Sequence, residues 1–426
     1  MLKNKKEDSG LKKFLKILGP GLVTGASDDD PSGIATYSQA GAQYGFSTLW
    51  TAWVTFPLMA SIQEMCARIG LATCMGLTSI LKLHYPKWVM YVMVLFSFPA
   101  IVMNIGADIA GMGAVANLIF PKIDASFFSV FFTIILLVFI VFFPYRKIAS
   151  VLKYLAVVLL VYLVVPFLTH TNFVEVLKAT VIPHIQLNKD YLGILVAILG
   201  TTISPYLFFW QTNMEVEDMQ EKQKDKNVVL VASGRAFRDM KTDVNFGMLF
   251  SNLVMFFIIL TAGAVLAKGG IHKIDTVEQA AQALKPLAGD MAYYLFALGV
   301  IGTGLLAIPV LSGALSYIFS ETFGLQMGLN KKFHEAKGFY IIIAISLIAG
   351  LSMNYIGISP VKALLYSAIL YGLTAPVIIA IILHICNNKQ IMGRHVNKLR
   401  SNILGGLTLL LMTVAAVALL YFEFVP

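Results

Sequence analysis

The sequence predicts an all-α membrane protein of about eleven transmembrane helices, the first and sixth of which are broken at mid-membrane. Of its 426 residues, 58% are hydrophobic and 13% charged, and the mean hydropathy is +0.78. This composition excludes a soluble globular domain. Apolar stretches of about 20 residues, the length that crosses a bilayer as a helix, recur along the whole chain. Two of them are interrupted by a proline, at Asp30-Pro31 and at Ser204-Pro205.

The apolar stretches define the predicted spans. They are 17–45 (broken near 27–33), 47–76, 88–118, 125–144, 150–169, 191–213 (broken near 201–206), 244–267, 288–321, 338–356, 360–386 and 402–423. With these spans, 24 of the 32 lysines and arginines fall in the N-terminal tail and the loops of one side, and 6 fall in the loops of the other. Because basic residues concentrate on the cytoplasmic side, this places the N-terminus in the cytoplasm of a multi-pass protein of the cytoplasmic membrane.

The same asymmetry explains the net charge of +9 without a nucleic-acid partner, so the expected surroundings are the lipid bilayer. The longest polar stretch, 214–243, is predicted to be a helical or flexible cytoplasmic loop with a solvated charged face. The basic segment 386–400 is a second cytoplasmic loop, suited to contact with anionic lipid headgroups.

Paired breaks at matching places in two halves of a chain are typical of a secondary transporter built from inverted repeats. We therefore treat 1–426 as one transmembrane domain, with a first repeat over about 17–169, a second over about 191–386 and an additional helix over about 402–423. Pro205 alone would indicate a simple kink of the sixth span. Because Asp30-Pro31 interrupts the first span at the equivalent place, a binding site is the better interpretation.

The residues of the two breaks predict a site for a hard divalent cation. Asp30 supplies a carboxylate, the unwound turn at Ser27 supplies carbonyl oxygens, and Gly33 lets the backbone approach closely. Thr201 and Ser204 face them from the sixth span in this architecture. Neither break contains Cys, Met or His, so the donors favour Mg²⁺ or Mn²⁺ over softer metals.

The other membrane-embedded acids leave alternatives open. Asp28 and Asp29 carry protons, bind a metal-bound water, or have a structural hydrogen-bonding role. Asp108 belongs to a permeation or proton route, or pairs with a cation on a neighbouring span.

Residues 19–50 resemble the first span of the NRAMP family of divalent metal transporters, whose hallmark there is Asp-Pro-Gly-Asn. Residues 200–212 resemble its sixth-span motif, and 105–111 its third span. The resemblance implies a LeuT-like fold of five plus five inverted helices, with a divalent metal held between the first and sixth spans.

Carried over by position, the resemblance retains some functional residues and replaces others. The family's aspartates fall on Asp30 and Asp108. Its Asn ligand falls on Gly33, and its sixth-span Ala and Met fall on Thr201 and Ser204. Its two sixth-span histidines fall on Tyr206 and Gln211, and its third-span Glu falls on Gly111. Since the thioether and the proton-linked histidines and Glu are replaced, the chain resembles a divergent member, similar to the NRAMP-related magnesium transporters. Tyr206 and Gln211 are then candidates for a proton-linked or supporting role.

We therefore expect a carrier that takes up Mg²⁺ or Mn²⁺, with Fe²⁺ less favoured, by alternating access and without proton coupling. The alternatives are a proton-coupled Mn²⁺/Fe²⁺ symporter and a LeuT-like carrier of an amino acid or other organic solute. No nucleophile–base constellation or phosphate loop indicates an enzyme, and no cofactor is expected beyond the transported ion.

Overall fold

The computed structural model describes residues 17–143, 157–169, 171–223 and 233–424. Those residues form helices joined by short connections, without strands. The first half contains α1 (Pro20–Asp28), α2 (Pro31–Tyr44), α3 (Trp50–Thr73), α4 (Leu77–His84), α5 (Lys87–Ile119), α6 (Ala125–Phe142), a 3-10 segment (Val157–Leu163), α7 (Val165–Leu168) and α8 (Phe173–Val181).

The second half has the same character. It contains α9 (Lys189–Thr202), α10 (Pro205–Gln223), α11 (Gly234–Ala262, continued as a π-helix over Gly263–Ala267), α12 (Val277–Ala281), α13 (Lys285–Ala288), α14 (Ala292–Phe323), α15 (Lys337–Met353), α16 (Pro360–Asn387), α17 (Lys389–Met392) and α18 (Leu399–Phe424). Single-turn 3-10 segments adjoin several of them, at Gln282–Leu284, Gly289–Met291, Asn354–Ile356 and Gly393–His395.

The all-α fold and both broken helices are confirmed. The first predicted span consists of α1 and α2, interrupted at Asp29 and Asp30. The sixth consists of α9 and α10, interrupted at Ile203 and Ser204. Within the described ranges, seven helical stretches are long and apolar enough to cross a membrane, or eight when α3 and α4, bent by 65°, are counted as one span. The predicted number of eleven therefore stays a prediction.

Several boundaries differ from those expected. The span at 150–169 lies partly outside the described residues, and its described part is a 3-10 segment followed by the short helix α7. The seventh span begins at Gly234, ten residues before the predicted boundary at 244, because α11 carries its amphipathic first turns beyond the apolar stretch. Basic residues of the N-terminal tail and of 144–156, used in the charge count, also lie outside the described residues.

The expectation of a solvated face along 214–243 is wrong for its first part. α10 continues to Gln223, and Glu215 and Glu217 are buried, at 4% and 9% exposure. A tertiary partner explains one of these acids: the Glu217 carboxylate accepts hydrogen bonds from Tyr317 and from the Leu329 N–H. The segment 224–232 lies outside the described residues.

Glycines bring both broken helices close to their neighbours. A Cβ on Gly25 of α1 would lie 2.1 Å from the Gly247 carbonyl oxygen of α11. A Cβ on Gly200 of α9 would lie 2.1 Å from the Ala368 carbonyl oxygen of α16. Close backbone approach through small residues is how helices pack where lipid supplies no hydrophobic driving force. These crossings hold α1 against α11 and α9 against α16.

Candidate metal site

The first break is organised around Asp30. This residue has an extended backbone and caps the N-terminus of α2, where Pro31 occupies the first turn. One carboxylate oxygen accepts from the Gly33 N–H at 2.8 Å and from the Ser32 hydroxyl at 2.7 Å. Asp30 is 1% exposed. The sequence therefore holds a fully buried carboxylate at the point where the helix is interrupted.

The other Asp30 oxygen is bound from a different helix. The Asn104 amide of α5 donates to it at 2.8 Å, and the Ser367 hydroxyl of α16 donates to the Asn104 carbonyl oxygen at 2.8 Å. A carboxylate offers about four lone-pair sites. Donors from α2 and from α5 therefore fix both oxygens of the Asp30 carboxylate. Sequence reasoning missed Asn104 and Ser367; Asn104 lies one helical turn before Asp108 in an apolar span, a spacing that could have indicated it.

Some polar groups of the second break hydrogen-bond to one another. The Ser204 hydroxyl donates to the Thr201 carbonyl oxygen at 2.5 Å and lies 3.1 Å from that of Gly200. Ile203 donates its N–H to the Leu199 carbonyl oxygen at 2.9 Å, closing α9. The hydroxyl proton of the predicted ligand Ser204 is therefore used in a hydrogen bond within the break. The lone pairs of the Ser204 oxygen remain available to a cation.

Direct contacts join the two breaks. The Tyr206 hydroxyl of α10 donates to the Ser27 carbonyl oxygen of α1 at 2.9 Å. A Cβ on Gly33 would lie 3.2 Å from the Asp28 carbonyl oxygen and 3.4 Å from the Thr201 hydroxyl oxygen. The structure therefore brings Asp30, Ser27, Gly33, Thr201 and Ser204 into one buried region between the broken helices.

The Asp28 and Asp29 side chains face α11. The Ser251 hydroxyl of α11 donates to Asp28 at 2.7 Å and lies 3.4 Å from Asp29. Both acids are at most 1% exposed, and within the described part of the chain one oxygen of each has no hydrogen-bond partner. Sequence reasoning missed Ser251, whose only signal was a hydroxyl in an apolar span.

Asp108 is not paired with a cation. It is fully buried, no lysine, arginine or histidine pairs with it in the described part of the chain, and the Ser32 N–H of α2 faces its carboxylate. The alternative of an ion pair with a neighbouring span is wrong for this region. A Cβ on Gly111, one turn later, would meet Leu364 at 3.3 Å and Pro31 at 3.7 Å, so apolar packing faces this position.

Gln211, in α10, joins α10 to α1. Its carbonyl oxygen accepts from the Thr24 hydroxyl, and its amide donates to Glu215 at 2.9 Å. The Tyr206 ring packs against that of Tyr371 at a tilt of 37°, with ring centroids 5.6 Å apart. Both residues thus connect α10 to α1 by a hydrogen bond.

The donor set determines the chemistry open to this region. No group of three or more His, Cys, Asp or Glu converges within the described ranges, so the three consecutive aspartates do not form one cluster. The oxygen atoms of the predicted ligands are those of the Asp30 carboxylate and of carbonyls and hydroxyls, which suits a hard cation that retains some water. A thioether also lies beside the second break, since the Met255 sulfur accepts from the Thr202 hydroxyl at 3.6 Å.

Comparisons with known proteins agree over nearly the full chain. The profile of a family described as "Natural resistance-associated macrophage protein-like" (Nramp) matches residues 21–422. The divalent metal cation transporter MntH of Caldanaerobacter subterraneus is 26% identical over 398 residues, which cover 93% of this chain and 90% of that protein. MntH of Bacillus subtilis is 23% identical over 394 residues, covering 91% and 88%.

Solved structures show the same fold. The crystal structure of a manganese transporter from Eremococcus coleocola, in complex with an aromatic bis-isothiourea compound, superposes with a TM-score of 0.76. The match has 18% sequence identity and covers 98% of this chain and 88% of the other.

Proposed function

Because this chain belongs to the Nramp family, we propose that it is a secondary transporter that carries a divalent metal cation across the membrane by alternating access. The observation that carries the proposal is the meeting of the two breaks around the buried Asp30 carboxylate. An isolated charge at bilayer depth is costly, and a divalent cation would offset that cost while it is bound.

The proposed ligands are the Asp30 carboxylate, the carbonyl or hydroxyl oxygens of Ser27, Thr201 and Ser204, and the backbone near Gly33. All are hard oxygen donors, and carboxylate, carbonyl and water oxygens suit Mg²⁺ and Mn²⁺. Ser204 stands where the family resemblance implies a thioether, which supports Mg²⁺ or Mn²⁺ ahead of Fe²⁺. Asn104 supports the site by orienting the Asp30 carboxylate oxygen to which it donates.

We further propose uptake without proton coupling. Tyr206, Gln211 and Gly111 replace the groups that the resemblance links to protons, and the first two already hold partners within the protein. A membrane potential acts on each transported charge by about 2.3 kcal/mol per 100 mV. A negative-inside potential therefore favours entry of an uncoupled cation. The charge distribution separately supports a cytoplasmic N-terminus.

The experiment is uptake into proteoliposomes that contain a Mg²⁺-sensitive dye and a pH-sensitive dye, with Mg²⁺, Mn²⁺ or Ca²⁺ added outside. Entry of Mg²⁺ or Mn²⁺ without lumenal acidification is expected. The Asp30→Asn variant should abolish it, while Asp290→Asn, at an exposed acid in the 3-10 segment before α14, should retain it.

Acidification that accompanies Mn²⁺ entry would replace the uncoupled mechanism with a symporter, and Asp28, Asp29 and Asp108 would become its first proton-carrier candidates. Uptake of a radiolabelled amino acid with no metal flux would overturn metal transport. Metal flux retained by Asp30→Asn would move the site elsewhere.

A further inference from the structure

The connection between α11 and α14 lies against α2, the helix that Asp30 caps. It contains α12, and the residues just before that helix differ sharply in burial. Ile274 is 5% exposed, whereas its neighbours Lys273 and Asp275 are exposed. The chain therefore inserts one apolar side chain into the protein at this point. We call residues 271–281 the outer lid.

The outer lid closes a small apolar cavity beside the proposed metal site. The volume of this cavity is about 20 Å³, close to the minimum space for one water molecule. Its lining includes Pro31, the residue that follows Asp30, and the lid residues Ile274, Val277 and Ala280. The outer lid therefore reaches the immediate surroundings of the proposed ligand.

A larger cavity adjoins the same lid. Its volume is about 750 Å³, and exposed side chains such as His272 contribute to its wall. Three residues line both this cavity and the small one: Ala35, Ile274 and Val361. These three apolar residues therefore form a partition between the larger cavity and the space beside Pro31.

A hydrogen bond from α2 holds the lid in this position. Ile274 donates its N–H to the Gln39 side-chain oxygen at 2.9 Å, and the Gln39 amide donates to the Gln43 side-chain oxygen at 3.1 Å. Gln39 is 7% exposed, so the bond to the lid is shielded from water. Because Asp30 caps the first turn of α2, the metal site and the lid are attached to the same helix.

The structure of the lid suits movement as a unit. Gly270, just before it, has a φ of +81°, and a Cβ there would meet nothing within 4 Å. Glycine adopts this backbone without strain. Within the lid, a capping box fixes α12: Thr276 and Gln279 each accept the other's backbone N–H with a side-chain oxygen. A rigid body beside a permissive backbone position is typical of a hinged segment.

We propose that the outer lid is a gate on the route by which the ion reaches Asp30 from solvent, with Ile274 as its plug and Gln39 as its latch. This inference rests on the proposed transport function. A divalent cation that keeps several waters does not fit a space of about 20 Å³, so entry from this side requires the lid to move. With the N-terminus in the cytoplasm, this side is the outer face of the membrane.

The test measures opening of the lid without any ion flux. Val115 of α5 is 0% exposed and lines the small cavity. Val115→Cys therefore reports whether a membrane-impermeant methanethiosulfonate reagent, added outside intact cells, passes the lid. Labelling should be slow while the lid is intact. Adding Gln39→Met, which keeps the side-chain length but removes the acceptor of a buried N–H, should accelerate labelling roughly tenfold.

Matched variants keep the test decisive. Ile274→Ala, which removes the plug, should accelerate labelling of Val115→Cys as well, and it replaces Gln39→Met if a size-exclusion profile shows that the latter does not fold. Lys273→Ala, at the exposed neighbour, should leave labelling slow. The chain without Val115→Cys, with its three native cysteines, supplies the background.

The outcomes separate the gate from the transport function. Fast labelling with the lid intact, or equal rates in the Ile274→Ala and Lys273→Ala variants, would overturn the gate even if metal uptake is normal. Accelerated labelling in both lid variants would support the gate. Absence of metal uptake by the unmodified protein would overturn the proposed function by itself, whatever the labelling rates.

Discussion

Asp243→Asn is expected to destabilise the protein by removing a cap supplied across the bundle. The carboxylate of Asp243, on α11, accepts from three N–H groups at the start of α1: Gly19 at 2.9 Å, Gly21 at 2.7 Å and Leu22 at 3.0 Å. The helix has no side-chain cap of its own, and Asp243 is only 2% exposed. An acid at this place satisfies orphan N–H groups and interacts favourably with the helix dipole.

The geometry sets the size of the effect. Asparagine keeps one acceptor oxygen, which can still serve Gly19 and Leu22, but turns an NH₂ group toward the Gly21 N–H. The variant loses one charge-assisted hydrogen bond and the charge at the dipole, together about 2 to 4 kcal/mol. For a chain of this length we expect the midpoint of thermal unfolding to fall by about 2 to 4 °C.

The assay is thermal unfolding of the purified protein in detergent, and α11 contains a matched control. Asp239 lies one turn earlier and pairs with Arg235 at 3.7 Å, with both side chains largely exposed. An exposed pair contributes at most about 1 kcal/mol, so Asp239→Asn should leave the midpoint nearly unchanged. Equal midpoints for the two variants would refute the role assigned to Asp243.

Three other changes test the packing and the site. Ser204→Met should raise the affinity for Mn²⁺ or Cd²⁺ relative to Mg²⁺, about tenfold or more, because a thioether prefers softer metals; an unchanged ratio in competition uptake would place Ser204 outside the ligand set. Gly25→Ala should prevent stable folding, since its Cβ would lie 2.1 Å from the Gly247 carbonyl oxygen, whereas Gly406→Ala, which meets nothing within 4 Å, should fold normally; size-exclusion profiles decide this. Asp30→Ala should abolish uptake while the size-exclusion profile is retained, and normal uptake would contradict the proposed ligand.

The breaks themselves could be predicted because their signal is local. Proline cannot continue the hydrogen-bond ladder of a helix, and an acid in an apolar span is costly without a partner. Asp30-Pro31 and Ser204-Pro205 therefore indicated interruption from sequence alone. The boundary near 244 was less accurate, because the start of α11 depends on its packing against α1 and not only on hydropathy.

The partners of the buried acids could not be predicted, because they come from distant parts of the chain. Asn104 reaches Asp30, Ser251 reaches Asp28, and Asp243 reaches α1 only once the helices are packed. Each partner is a single polar residue in an otherwise ordinary segment. The same reason explains why Glu217 appeared to belong to a solvated loop.

The most direct test of the proposed metal site is an anomalous difference map from crystals grown with Mn²⁺. We expect one strong peak between the two breaks, in coordination contact with the Asp30 carboxylate and facing Thr201 and Ser204. A peak instead beside Ser251 and the unpartnered oxygens of Asp28 and Asp29, or beside Asp108, would contradict it. So would a map with no peak inside the bundle from crystals in which uptake-competent protein was exposed to saturating Mn²⁺.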